Sequence, residues 1–231
     1  LIVYVGTSGW LYGWNRDGSL DWYVEQSGLN AVELNMSFYR YPSRRAVESW
    51  AERGRRLAWS IKANRLITHV YRFSEKALDA WKRFEGLFSP MDHLIHHYLF
   101  QLPPSLSPRS ASRIEAFTTK TELGTRLALE WRNPEWFEEK WVSWAEKLGV
   151  TLVSVDSPDL PKTIMMSGTT IYLRMHGRTA WYSHDYTDEE LTEVAERILQ
   201  SSPRKVYVYF NNDHAMLKNA RRMLNILTRR H

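Results

Sequence analysis

Two glutamates, three cations and a histidine punctuate the ends of apolar runs in this chain: Glu33, Lys62, Glu130, Arg132, Arg174 and His176. Acids interleaved with Lys and Arg around a titratable imidazole suit an anionic substrate, because the cations hold the charge and lower the pKa of the acids. In such a site Arg132, Arg174 and Lys62 would hold phosphate, Glu130 or Glu33 would act as general base, and His176 or the other Glu as acid. The densest part is residues 126–133. Read with a period of two, it puts Ala128, Glu130 and Arg132 on one face and Leu127, Leu129 and Trp131 on the other. A buried lone charge is costly, so the charged end of this strand must be paired or must border a wet cavity. Asn133-Pro134 then offers an N-cap and a first helical proline.

The same pattern predicts seven further strands, at 2–6, 31–35, 57–62, 98–102, 151–155, 170–175 and 205–210. Helical stripes fall between most of them, among them Leu78, Trp81, Phe84, Leu87 and Phe88, or Met216, Leu217, Ala220, Met223, Leu224 and Leu227. Thr187 and Glu190 form a capping box before a helix, and only a weak helical signal follows the sixth strand. Eight strands alternating with roughly eight helices over 231 residues is the count of an α/β chain folded as a single (β/α)8 TIM-barrel-like domain, residues 1–231, with no linker to divide it. From the second strand to the eighth, Glu33, Lys62, Gln101, Glu130, Asp156, Arg174 and Asn211 share one parity. In a barrel they would converge at the carboxyl-end mouth, where barrel sites lie. Asn35, at the end of the second strand, and Trp10, Tyr182, Tyr186 and Asn212, in loops at that end, complete the substrate-binding candidates.

Composition bounds the readings. With no cysteine, a disulfide framework, a thiol nucleophile and thiolate metal sites are excluded. No apolar run approaches the roughly 20 residues of a membrane span, so the expectation is a soluble, cytoplasmic chain with no membrane partner. The net charge of +5 favours an anionic small molecule or nucleic acid as partner. Eleven Trp and twelve Tyr suit stacking on bases or sugars. Arg55, Arg56 and Arg229-Arg230-His231 read as solvated faces.

The segments Gly6-Thr7-Ser8-Gly9-Trp10, Val32-Glu33-Leu34-Asn35 with Phe38-Tyr39, Ile67-Thr68-His69, Phe100-Gln101-Leu102-Pro103-Pro104, Glu130-Trp131-Arg132, Arg174-Met175-His176-Gly177 and Tyr209-Phe210-Asn211-Asn212 resemble, together and nearly end to end, the domain-of-unknown-function 72 family. The resemblance implies a (β/α)8-like barrel with a polar cavity and supplies no reaction. Three readings stay open: a hydrolase or lyase, such as a phosphoesterase or nuclease, on a phosphorylated sugar or nucleic acid; a glycosidase using Glu33 and Glu130; and a non-catalytic nucleic-acid binder. Glu130, Asp156 and His176 also resemble three of the four ligands in metal-dependent barrel epimerases and abasic-site endonucleases. Asn211 at the fourth position is a poorer ligand, and Arg132 and Arg174 would repel a cation.

Overall fold

The period-two segments form strands β1 (Ile2–Thr7), β2 (Ala31–Leu34), β3 (Ala58–Lys62), β4 (Ile95–Gln101), β5 (Leu127–Glu130), β6 (Thr151–Asp156), the two-residue β7 (Met166–Ser167), β8 (Thr170–Met175) and β9 (Lys205–Phe210). The computed structural model describes residues 1–229; Arg230 and His231 lie outside the described residues. Apart from β7, which pairs antiparallel with β8, the strands are parallel. β1 joins β2 to β9, and β6 pairs with β8, so eight strands close into a barrel. Around it lie α1 (Leu20–Gln26), the one-turn α2 (Met36–Tyr39), α3 (Arg44–Arg53), α4 (Glu75–Phe88), α5 (Ala111–Thr121), α6 (Glu139–Leu148), α7 (Asp188–Gln200) and α8 (Met216–Arg229). No helix among the described residues is long and apolar enough to cross a membrane.

The barrel interior is filled by complementary sizes. Tyr172, Tyr207 and Tyr209 project from β8 and β9, and Ala31, Ala58 and Ala128 from β2, β3 and β5, with Leu99 and Val153 between. Small residues thus stand opposite large ones, as close packing requires. The Leu, Ile, Val and Trp residues of the other parity join the helices in a second, larger cluster.

Three departures from the sequence expectation follow from local chemistry. No helix forms between β6 and β8, where Pro158 and Pro161 deny the helical backbone its donors. That segment instead straps the outside of β6: Ser154 Oγ accepts from Met165 N (2.8 Å), and Ser167 Oγ accepts from Leu152 N (2.8 Å). Asn133 caps only a short turn, Pro134–Trp136, and α6 starts at Glu139. The turn plants Trp136 in the core, where its indole N–H donates to Leu106 O (2.7 Å). Lastly, β6 is inverted relative to the expected parity. Val153 and Val155 face the interior sector beside Tyr172 and Arg174, and Ser154 and Asp156 face outward. The capping box at Thr187 and Glu190 forms as expected.

Candidate functional site

Arg174 is the hub of the mouth. It lies on β8 two residues after Tyr172, and its guanidinium is 1% exposed. Nη2 donates to Glu33 Oε1 (2.6 Å), Nε reaches both Glu33 oxygens (3.1 Å each), and Nη1 donates to Glu130 Oε2 (2.6 Å). One guanidinium therefore bridges carboxylates from β2 and β5 across the barrel. Glu33 also accepts from the Tyr172 hydroxyl (2.7 Å) and from Ser8 Oγ (3.2 Å). Because Tyr172 gives its one proton to Glu33, Ser60 must be the donor in its 2.6 Å contact with the Tyr172 oxygen. Sequence reading assigns no role to Tyr172 or Ser60, yet each shares the inward parity of Arg174 or Lys62 on its own strand.

Glu130 is wholly enclosed, and its other oxygen accepts from Arg132 Nε. Burial alone would raise its pKa, but Arg132, Arg174 and Lys62 together hold it down to about 2. With both oxygens taken by guanidinium groups, Glu130 is a weak base and a firm anchor. His176 Nε2 faces Arg132 Nη2 at 3.1 Å, and Nδ1 faces the Asn211 amide at 3.3 Å. Burial first, then the charges of Arg174, Arg132 and Lys62, push its pKa well below the usual imidazole value. The Arg132 contact makes Nε2 an acceptor and places the neutral ring's proton on Nδ1, and the Asn211 amide, which presents its nitrogen there, would pair with that proton with its oxygen and nitrogen exchanged. At neutral pH His176 is thus the neutral imidazole and lacks the second, imidazolium proton that a general acid would deliver.

Lys62 differs from the other cations. The Ser37 hydroxyl fixes the end of β3 through the Lys62 carbonyl (2.7 Å), and Lys62 Nζ donates to Gln101 Oε1 (2.6 Å) beneath the Phe38 ring, 4.3 Å from its centroid. Among the described residues it has no carboxylate ion-pair partner. Burial and the charge of Arg174 draw its pKa down to about 7 against the opposing pull of Glu130 and Glu33. Three cationic side chains, Arg132, Arg174 and Lys62, face two carboxylates, so a positive charge stays uncompensated on the β3 side. The field extends outward: burial, then Lys62, Arg65, Arg132 and Arg72, lower the pKa of His69 to about 4.

The rim divides the remaining candidates. Trp181 lies over Arg132, 4.7 Å from ring to guanidinium carbon, and touches His176 together with Tyr182. Tyr39 and Tyr182 are 74% and 45% exposed, so their rings are open to a ligand. A pocket of about 330 Å³ lies on the β1–β2 side, lined by Ser8, Trp10, Leu11, Tyr12, Asn35 and Tyr39 among others. The ring of Trp10, 5% exposed, packs edge-on against Trp50 and Trp59, which makes it mainly a core residue. Tyr186 and Asn212 are also buried, contrary to their expected place at the surface of the site. Tyr186 donates to Asp156 Oδ1 (2.8 Å) and accepts from Gly177 N (2.9 Å), while the Asn212 amide donates to His184 O and Asn219 Oδ1 (2.7 Å each). They brace the loop that carries Trp181 and Tyr182. Gly177 at φ +115° starts that loop, and a Cβ there would stand 2.4 Å from Ala180 O.

The metal reading loses one ligand to the inverted parity of β6. Asp156 points out of the barrel to Tyr186 and Arg178 (3.2 Å), away from Glu130 and His176. Among the described residues, no three His, Cys, Asp or Glu side chains converge in a way that could hold a metal ion. In the turn after β9, Asn211 N is bonded to Met175 O (2.9 Å), and the adjoining pocket is lined by Asp185, Asp213, His214 and Lys218 among others.

The architecture recurs in solved proteins. A DUF72 family protein from Thermotoga maritima superposes with a TM-score of 0.85 at 25% identity over 99% of this chain and 100% of that one. A DUF72 family protein from Enterococcus faecalis superposes with a TM-score of 0.82 at 19% identity over 98% and 96%, a likeness of fold. No curated protein matches. A family model described as "Protein of unknown function DUF72" matches residues 4–231, and the chain belongs to that family.

Proposed function

We propose that the barrel mouth binds the phosphate of a phosphorylated sugar or of a nucleic-acid end and acts on it as a hydrolase or lyase, with Lys62 as the acid–base group. The observation that carries this reading is the uncompensated charge: Lys62 sits buried beside two guanidinium groups with an amide oxygen as its hydrogen-bond partner in place of a carboxylate. An anion placed against Lys62 and Arg132 would neutralise the cluster, and the Trp181 and Tyr182 rings would flank the attached sugar or base. A group titrating near neutrality is the one best able to take and return a proton at the working pH. Glu33 and Glu130, the expected base candidates, instead hold Arg174 rigid. Their role as a glycosidase pair finds no support in this geometry, because the Arg174 guanidinium fills the space between them.

The test is a thermal-shift and turnover screen with sugar phosphates, short single-stranded DNA and neutral sugars. Stabilisation by the phosphorylated compounds, lost in Lys62→Met, supports the reading. Stabilisation by neutral sugars alone, or affinity for DNA that is flat with salt, contradicts it.

A further inference from the structure

We propose that Lys62 is an imine-forming lysine, and that the substrate is a sugar phosphate or abasic sugar bearing an aldehyde or ketone; this rests on the mouth being a phosphate site. Three features of the geometry point to it. Lys62 Nζ is sheltered under the Phe38 ring and held by one neutral acceptor, Gln101 Oε1 at 2.6 Å, so no carboxylate fixes it in the ammonium form. The neighbouring positive charges of Arg174 and Arg132 disfavour a second charge, and the amine lone pair becomes available at neutral pH, as its lowered pKa also indicates. Lys62 also stands at the carboxyl end of β3, the end of the barrel where barrel sites lie, with 9% of its surface exposed.

The step balances without any oxidant or reductant. The Lys62 nitrogen attacks the carbonyl carbon, a C–N bond forms, and the C=O π pair moves to oxygen, which takes a proton. The nitrogen, cationic after the attack, gives one proton to solvent, the carbinolamine hydroxyl takes a second proton from solvent, and it leaves as water while the nitrogen lone pair forms the C=N bond of a protonated imine. The imine is an electron sink for the loss of a proton or the breaking of a C–C or C–O bond on the adjacent carbon. Its positive charge would be the third in a cluster with two carboxylates, and the substrate's phosphate near Arg132 supplies the balancing charge. A carbonyl compound lacking phosphate should therefore react poorly.

The probe is glyceraldehyde 3-phosphate with sodium borohydride on the wild-type chain, read by intact mass and peptide mapping. Sulfate binding to the same preparation is measured in parallel. The expected result is one reduced adduct per chain on the Lys62 peptide, favoured about tenfold over labelling by unphosphorylated glyceraldehyde through binding-site proximity. Excess sulfate should suppress it, and Lys62→Arg should abolish it. Labelling spread over surface lysines, or no Lys62 adduct in protein that binds sulfate, overturns the imine and leaves the anion site standing. Absence of both adduct and sulfate binding overturns the two readings together. If Lys62→Arg fails to fold, wild-type mapping decides alone.

Discussion

Replacing Arg174 by Met should be among the most damaging single changes to this barrel, and its cost should depend on pH. The substitution keeps an unbranched apolar stem but removes the guanidinium that bridges Glu33 and Glu130, both 0% exposed. Breaking a buried ion pair while leaving the other partner enclosed costs about 3–5 kcal/mol. With an unfolding entropy of roughly 2.1 cal/mol/K per residue, a chain of this length loses about 6–10 °C in Tm. The sign with pH follows from Glu130, whose folded pKa lies at about 2, below its ordinary 4.5. Its stabilisation is full above about pH 4.5 and fades as the pH falls toward 2, a span worth roughly 3 kcal/mol. In Arg174→Met Glu130 protonates at higher pH, so the gap from wild type should narrow between pH 7 and pH 4. Glu33→Gln in the same background should recover part of the loss. Scanning calorimetry at the two pH values reads all three effects. A variant melting within about 2 °C of wild type at pH 7, or a gap independent of pH, would refute the clamp.

Lys62→Met should leave the fold intact and change its response to alkali: a folded pKa of about 7 below an unfolded value of 10.5 means the unfolded chain binds more protons between them. Wild-type stability should therefore rise by up to about 1.4 kcal/mol per pH unit from pH 8 to 10 through this group, and urea melts of the variant should lack that component. Tyr186→Phe leaves Gly177 N and Asp156 Oδ1 without their shared partner and should cost about 1–3 kcal/mol in denaturant melts, with sulfate affinity unchanged. Gly177→Ala forces a contact with Ala180 O and should displace the loop carrying Trp181. Loss of quenching of Trp181 emission by bound ligand would show it, and unchanged fluorescence would contradict it.

The barrel was legible because period two survives in every one of its strands. Six of the seven polar strand ends face inward or reach the mouth as expected: Glu33, Lys62, Gln101, Glu130, Arg174 and Asn211. Asp156 does not, because alternation defines two faces without saying which is inside. On β6 both faces can be buried, since the strap of residues 157–167 covers the outer one. The aromatic richness also misled. Trp10, Trp59, Trp81, Trp131 and Trp136 fill the layer between barrel and helices, and composition does not separate such wedges from rim residues such as Tyr39 and Tyr182. The roles within the cluster were hidden for a different reason. That one guanidinium would engage both glutamates, leaving Lys62 as the odd cation, depends on cross-barrel distances that no local pattern encodes.

The most direct measurement is calorimetric titration of inorganic sulfate into the wild-type protein at pH 8, in two buffers of different ionisation enthalpy. Sulfate does not titrate in this range, so proton uptake on binding reports a protein group whose pKa the anion raises. The expected result is saturable binding with uptake approaching one proton, abolished in Lys62→Met and weakened as pH rises further. Binding with no proton uptake, or binding of equal strength in Lys62→Met, would contradict an anion site built on the unpaired lysine.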